Sequence, residues 1–200
     1  MTYNQFSLGK VKKEFSLKIV EGVRFLPDIP PIEPSPLLAE ILTENIPLAA
    51  VGSEKARSEL LISPVLVEVR RLLNRQISLF SGEEFAVDQS LGLNGVCDFL
   101  LSKSPELLEI EAPVVAIVEA KKADLTVGLG QCIASMLAAQ LFNHQNGEPM
   151  SRIFGSVSNG TAWRFLQLQD KTVTIDLIDY PLLPVGQILA FLKWMIENTT

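Results

Sequence analysis

One apolar run constrains this chain more than any other stretch. Residues 114–118 read Val-Val-Ala-Ile-Val, and Glu119, Ala120 and Lys121 follow directly. A continuous β-branched run of this kind is typical of a strand that is buried on both faces of a sheet. Because side chains alternate along a strand, Glu119 and Lys121 point to the same side, one pleat apart. The run therefore predicts a central strand that ends in an acid and an amine, and burying such charges without a partner is costly.

The length and composition predict a folded, soluble domain. The chain has 200 residues, 48% of them hydrophobic, which is enough for one domain with a sizeable core. No apolar run approaches the roughly 18 residues that a membrane span needs, and the first residues lack a signal-peptide pattern. The two cysteines, Cys97 and Cys132, lie far apart in apolar contexts, so we interpret both as reduced core thiols. We expect a cytoplasmic protein without a membrane partner.

The net charge argues against a protein-wide surface for nucleic acid. It is −6 at pH 7, with a sequence pI of about 4.9, whereas phosphate binding normally requires a basic face. The charge is unevenly distributed, however, so a local basic face remains compatible with the sequence. Two groups of basic residues are Lys10, Lys12, Lys13 and Lys18, and Arg70, Arg71 and Arg75.

Residues 1–50 are predicted to form a Pro-rich extension, and residues 51–200 the main domain. Alternation over residues 15–19 predicts a short strand. The prolines that follow favour an extended backbone. A short helix is predicted from Pro36 to Glu44, and Pro47 is expected to end it.

The middle of the chain predicts one long helix followed by a hairpin. Ser53 is a good N-cap for a helix over residues 54–74, in which Pro64 should cause a kink or a break. Ser81-Gly82 predicts a turn of the chain before a short strand at 84–88. Asn94-Gly95 predicts a type I′ turn between that strand and a second one at 96–101.

The last third predicts the remaining elements of a layered α/β domain. A helix is expected from about Leu129 to His144, and a final amphipathic helix from Pro184 to Glu197. Strand-like segments are Arg152–Val157, Ala162–Leu168 and Thr172–Ile178. Helices and strands in this order predict a mixed central β-sheet flanked by helices.

Asp98 and Glu119 are the candidate metal ligands. Each is an acid in a predicted apolar strand, and the two strands are neighbours along the chain. Two carboxylates that converge at strand ends form an oxygen-ligand site suited to Mg²⁺ or Mn²⁺. Such an ion would activate a bound water and shield phosphate charge. Lys121 is placed to orient or deprotonate that water.

Here the chain resembles the PD-(D/E)XK nuclease superfamily. The resemblance rests on Asp98, on Glu119-Ala120-Lys121 and on the predicted helix that precedes them. In addition, Ser53-Glu54-Lys55-Ala56-Arg57 and Ile62-Ser63-Pro64-Val65-Leu66 are similar to the N-terminal nuclease segment of type I restriction subunits. The resemblance covers about residues 53–180. It implies a restriction-endonuclease-like three-layer fold and metal-dependent hydrolysis of DNA phosphodiester bonds.

The resemblance also implies roles for individual residues. Asp98 and Glu119 would bind the metal, and Lys121 would assist the attacking water. A first-helix glutamate would complete the metal site, and both Glu54 and Glu59 are candidates, with Glu54 slightly favoured. Many members carry a helix glutamine followed by a tyrosine four residues later. Gln131 matches the glutamine, as a substrate-binding residue, but Ser135 occupies the tyrosine position.

Other interpretations stay open. Glu119 and Lys121 are also what a simple ion pair at a strand end would contain, and Asp98 is a residue that often caps turns. The acidic pI and Ser135 favour a catalytically silent nuclease-fold protein that acts as a binding or regulatory module. A homodimer formed through the apolar C-terminal helix is a further hypothesis.

Overall fold

The structure is a computed structural model that describes residues 1–200. The helices are α1 (Leu8–Glu14), α2 (Pro36–Ala50), α3 (Glu54–Arg57), α4 (Ser63–Leu72), α5 (Leu129–Gln145) and α6 (Gly186–Glu197). The strands are β1 (Lys18–Glu21), β2 (Ser78–Glu84), β3 (Val96–Ser102), β4 (Val114–Ala120), β5 (Ile153–Ser158), β6 (Ala162–Gln169), β7 (Thr172–Ile175) and β8 (Tyr180–Pro181). Single 3₁₀ turns cover Tyr3–Gln5 and Leu125–Gly128.

The strands form one mixed, open sheet. Its order is β1-β7-β6-β5-β4-β3-β2, and β8 pairs with β6 beside this path. The pairs β1/β7 and β4/β5 are parallel, and all other neighbours are antiparallel. The predicted α/β architecture with a mixed sheet flanked by helices is therefore confirmed.

Helices cover both faces of the sheet. Residues of α2, α4 and α6 form a core on one face, and residues of α1 and α5 form a second core on the other. Val114–Ala120 lies between the two cores, and every residue in it is buried. The predicted central strand is therefore confirmed. Asn143 of α5 ties the helix to this strand, because its side chain exchanges two 2.7 Å hydrogen bonds with the backbone of Val114.

The prediction that no apolar run approaches the length of a membrane span was wrong, because the helical stretch Leu125–Gln145 is long and apolar enough to cross a membrane. This stretch nevertheless packs inside the protein. In its most apolar window 67% of the residues are buried. The stretch lies against β4 and β5. Its apolar composition is accounted for by its place as the core helix of one face.

Residues 1–50 contribute to the same sheet and to both cores. Lys18–Glu21 adds an edge strand beside β7, a little after the predicted position. Tyr3 and Val11 belong to the core beneath α5, whereas Leu38 and Leu42 belong to the opposite core. The division of the chain at residue 50 stays a prediction.

The prediction that Pro47 ends the second helix was wrong. The helix Pro36–Ala50 continues through Pro47, although proline inside a helix typically costs about 3 kcal/mol. Leu42 and Ala49 lie on either side of Pro47 and are both buried. Packing of these two residues against the core offsets the lost hydrogen bond.

Pro64 does interrupt the next helix, as predicted. A wide π-helical turn at Ser58–Ile62 separates Glu54–Arg57 from Ser63–Leu72, and Pro64 lies in the first turn of the latter. Proline has no N–H to donate, so the wider turn is needed just before it.

The predicted hairpin at Asn94-Gly95 was wrong. The strand before β3 is Ser78–Glu84 rather than 84–88, and Gly82 lies inside it with φ +70°. The connection closes with a bridge between Asp88 and Leu93. Asn94 instead accepts a hydrogen bond from the backbone N–H of Tyr3. Asp88 Oδ1 accepts hydrogen bonds from the backbone N–H groups of Ser90 and Leu91, so the chain turns at residues 88–93 rather than at Asn94-Gly95.

The apolar side of α6 is buried in the core of its own chain. Ile188, Leu189, Leu192 and Met195 are each at most 1% exposed. This side is therefore not free to contact a second copy. The homodimer stays a prediction.

Candidate functional site

Asp98 and Glu119 lie beside each other, near the start of β3 and the end of β4. Phe99 pairs with Val118 in the antiparallel register. Asp98, which precedes Phe99, and Glu119, which follows Val118, are therefore neighbours across the two strands. Asp98 Oδ2 accepts a 2.8 Å hydrogen bond from the backbone N–H of Ala120. This bond fixes the aspartate against the end of the central strand.

Glu119 is fully buried and only partly satisfied. Its side chain is 0% exposed, and Oε1 accepts a weak 3.4 Å hydrogen bond from Ser135 Oγ. The other oxygen, Oε2, is buried without any hydrogen-bond partner. Burial, reinforced by the charge of Asp98, raises the pKa of Glu119 well above its ordinary value of 4.5. An added positive charge at Oε2 would reverse this effect and favour the ionised carboxylate.

Lys121 places its amine close to this orphan oxygen. Its Nζ lies 4.0 Å from Glu119 Oε2, and the side chain is 14% exposed. Nζ donates to the carbonyl of Ala120 at 2.8 Å and to Gln131 Oε1 at 3.2 Å. Glu119 and Lys121 therefore lie on the same side of the strand, and the amine is held by two further contacts.

Two residues of α5 support this arrangement one helical turn apart. Gln131 accepts from the amine of Lys121, and Ser135 donates to Glu119. Contact between Gln131 and substrate stays a prediction. Sequence reasoning gave Ser135 no role, although its spacing of four residues from Gln131 puts both on one face of the helix.

The protein interior closes around the far side of Glu119. Cys97 and Cys132 are both free and buried, as predicted. Burial, and after it the charge of Glu119, raises the pKa of both thiols. The pKa of Tyr3 is raised as well, first by burial and then by the charges of Cys97 and Glu119. These groups stay protonated at neutral pH, so they add no charge that competes for a cation.

An open cleft of about 540 Å³ lies on the other side of Asp98. Its lining is mainly polar, and Asp98 and Ala120 form part of its wall. The remaining lining residues are Glu54, Lys55, Ser58, Glu59, Ser81 and Gly82. Glu119 sits behind this wall and does not reach solvent.

Both candidate first-helix glutamates face the cleft without joining the two strand acids. Glu59 forms a 2.6 Å ion pair with Lys55, and Glu54 is exposed in the first turn of α3. No three His, Cys, Asp or Glu side chains lie close enough together to hold a metal ion. The choice between Glu54 and Glu59 therefore stays open.

The residues present fit a hard divalent cation better than other metals. Mg²⁺ is usually bound by one or two carboxylates and keeps several waters. Asp98 and the unpartnered Oε2 of Glu119 supply such a pair. A Zn²⁺ site would need several nitrogen or sulfur ligands, and the only histidine, His144, lies at the far end of α5.

No family model matches the chain, and no curated protein is significantly similar to it in sequence.

Proposed function

We propose that this protein is a metal-dependent nuclease-like enzyme that hydrolyses DNA phosphodiester bonds. The observation that carries the proposal is the convergence of Asp98, near the start of β3, with Glu119 and Lys121, at the end of β4, beside an open polar cleft. Two neighbouring carboxylates, with an amine 4.0 Å from one of them, suit metal-assisted attack on a phosphodiester.

The architecture supports the same proposal. We infer that the mixed sheet with helices on both faces is a restriction-endonuclease-like three-layer fold. The site lies where antiparallel β3 and parallel β5 flank the central strand β4. The sequence resemblance to PD-(D/E)XK nucleases points to the same three residues.

Asp98 and Glu119 would hold Mg²⁺ or Mn²⁺. When bound, the ion would polarise a phosphate oxygen and lower the pKa of a bound water. Glu119 would have to release its proton to act as a ligand, because burial favours its neutral form. Metal binding is then expected to be weaker at acidic pH.

Lys121 would position the attacking water. An ammonium has three N–H donors. Two of those of Lys121 are used, one by the Ala120 carbonyl and one by Gln131. The remaining donor is available to a water beside the two carboxylates. Gln131 would act through Lys121 as a positioning residue, by holding the amine in place.

A second candidate function is a nuclease-fold module that binds or regulates without cleaving. Two observations favour it. Glu119 is completely buried, and the cleft carries Glu54, Glu59 and Asp98 against a single cation, Lys55. An acidic cleft of this kind repels phosphate until a cation is bound. A cytoplasmic location suits both candidates.

Metal-dependent cleavage tests the main proposal directly. Purified protein would be incubated with supercoiled plasmid and branched DNA, in Mg²⁺, Mn²⁺ or chelator. We expect cleavage that depends on metal and is lost in Asp98→Asn and Lys121→Met, while Glu109→Gln, an exposed carboxylate elsewhere, behaves as wild type.

Calorimetry separates the two candidates. Mn²⁺ binding that requires Asp98, with no cleavage of any substrate, would favour a binding module over an enzyme. Mn²⁺ binding that is absent, or that is unchanged in Asp98→Asn, would overturn the metal site itself.

A further inference from the structure

The outer edge of β2 is a free strand edge. β2 pairs with β3 alone, and it is the last strand on its side of the sheet. None of the backbone hydrogen bonds outside regular elements involves Ser78–Glu84. Residues 81–84 are exposed. The edge therefore offers unpaired N–H and C=O groups to solvent, which proteins normally cover or blunt.

A groove of about 350 Å³, lined by both apolar and acidic side chains, lies beside this edge. Phe80, Phe85 and Phe142 line it, and residues 107–110 form its opposite wall. Leu108 in that wall is 96% exposed, and Leu107 is 59% exposed. Exposed leucines next to a groove lined by aromatic rings are typical of a surface that contacts another molecule.

The groove has an acidic rim. Glu83 and Glu84 of β2 and Glu109 of the opposite wall all line it. Glu106 and Glu111 lie on the same connection and line an adjoining hollow with Glu109. All five are exposed and form no ion pair in the protein. The groove therefore carries a concentrated negative charge that is not neutralised within the chain.

We propose that this edge and groove bind an extended basic segment of a partner protein. The segment would add a strand to β2 through main-chain hydrogen bonds. Alternate apolar side chains would enter the groove between Phe80 and Leu107, and lysine or arginine side chains would pair with Glu83, Glu84 and Glu109. Strand addition gives affinity through the backbone, and the side chains on the two faces give specificity.

The negative charge of the rim favours a basic segment over two other occupants, a second copy of the chain and nucleic acid. A second copy of the chain pairing β2 with β2 would bring Glu83 and Glu84 close to their own counterparts, and like charges oppose association. Nucleic acid is disfavoured because its phosphates carry the same sign as the rim. A basic peptide is attracted by the acidic rim, and its docking would give the unpaired backbone groups of β2 their hydrogen-bond partners.

The proposal is independent of catalysis, although the two sites are neighbours. Ser81 and Gly82 of the same strand line the cleft beside Asp98. A partner seated on β2 would therefore lie next to that cleft. Its binding is measured without metal or DNA, so failure of the nuclease proposal would leave this one unaffected.

Fluorescence anisotropy of a labelled peptide tests the proposal on the full chain. The probe is a peptide of about eight residues, the length of a typical strand, in which lysine alternates with valine and leucine. We expect saturable binding that weakens at least ~10-fold between about 0.05 M and 0.5 M salt, as screening of charge requires. A peptide with glutamate in place of lysine should not bind.

Two controls distinguish a strand-adding site from general attraction of opposite charges. Glu83→Lys combined with Glu84→Lys should abolish binding, whereas Glu40→Lys combined with Glu44→Lys on exposed positions of α2 should leave it unchanged. A backbone N-methylated peptide should bind at least ~10-fold more weakly, because it cannot complete the ladder of main-chain hydrogen bonds.

Equal binding by both double variants, or by the N-methylated peptide, would overturn the proposal. So would absence of binding by the lysine peptide. Hydrogen exchange supplies a second measurement, since those amides of residues 81–84 that point away from β3 should become protected when the peptide binds. Protection confined to any other strand would also contradict the proposal.

Discussion

The side chain of Lys121 lies directly across Gly128. A Cβ added to Gly128 would lie 3.0 Å from Lys121 Cγ and 2.6 Å from Val157 Cγ1, both closer than ordinary contact. The backbone of Gly128 has φ −81°, which any residue adopts. Glycine is needed here for space, since the amine of Lys121 reaches Gln131 only by passing over this position.

Replacing Gly128 should disturb the site and the packing together. We expect Gly128→Ala to cost about 1–3 kcal/mol of folding free energy, as overpacking typically does. It should also lower any cleavage activity by displacing Lys121. Gly9→Ala, in the first turn of α1, is the matched control, because nothing lies within 4 Å of its added Cβ. Urea unfolding of both variants measures the difference, and equal stabilities would contradict the contact.

Glu119 should make stability depend on pH. Because its pKa is raised in the folded protein, the unfolded chain loses this proton first as pH rises above 4.5. The unfolded state then binds fewer protons than the folded state, so stability falls with rising pH. Glu119→Gln cannot ionise, so its stability relative to the wild type should increase as pH rises above 4.5. Urea unfolding across this range checks it, and parallel stability curves for the two proteins would refute the assignment.

Glu68 should act in the opposite direction. Its buried carboxylate accepts hydrogen bonds from the N–H and hydroxyl of Ser35, each at 3.0 Å, and from Arg71 at 2.7 Å. Burial acts to raise the pKa of Glu68, but the hydrogen bonds from Arg71 and Ser35 outweigh it, and the pKa is lowered.

The stability that Glu68 contributes is therefore present above its ordinary value of 4.5 and is lost as pH falls through the lowered pKa. We expect Glu68→Gln to cost about 1–3 kcal/mol at pH 7, because buried donors lose a charged acceptor. The cost should shrink towards acidic pH, as measured by thermal unfolding. A cost that is equal at all pH values would mean that charge plays no part; Glu40→Gln on α2 is the exposed control.

Substitutions of Asp98 and Lys121 should affect metal binding and cleavage differently. We expect Lys121→Met to lower cleavage by about 10²–10⁴-fold, the range for loss of a group that handles a proton, with Mn²⁺ affinity largely kept. Asp98→Asn should weaken Mn²⁺ binding at least ~10-fold, the scale at which even outer ligands act. Parallel calorimetry and cleavage assays measure both quantities. Loss of metal binding in Lys121→Met would assign the amine a structural role instead.

The parts of the fold that were predictable are those whose signal is local. The apolar runs at 96–101 and 114–120 identified β3 and β4, and the long apolar helix was placed within one residue of α5. Alternation along β4 was also sufficient to put Glu119 and Lys121 on one side, because the period of a strand is fixed by backbone geometry.

What the sequence did not reveal depends on contacts between distant segments. The hairpin prediction failed because the chain already turns at residues 88–93, and the carbonyl of Asn94 accepts instead from Tyr3, far away in the chain. The role of Gly128 requires knowing that Lys121 folds back over it, and that of Ser135 requires the position of α5 above β4. Hydrogen bonding of Asp98 to Ala120 follows from strand register, which residue patterns alone do not fix.

The parallel pairing of β1 with β7 has a consequence for the order of assembly. Lys18 faces Thr172 in this pair. β1 is synthesised early in translation, so it cannot pair until β7 has been synthesised. Until then β1 has no neighbouring strand in the growing polypeptide. In a nascent chain stalled on the ribosome before residue 172, the segment that contains β1 should be accessible to proteases. Closing so long a loop also places this fold among the slower folders, because the entropy of the intervening chain is lost before the pairing is formed.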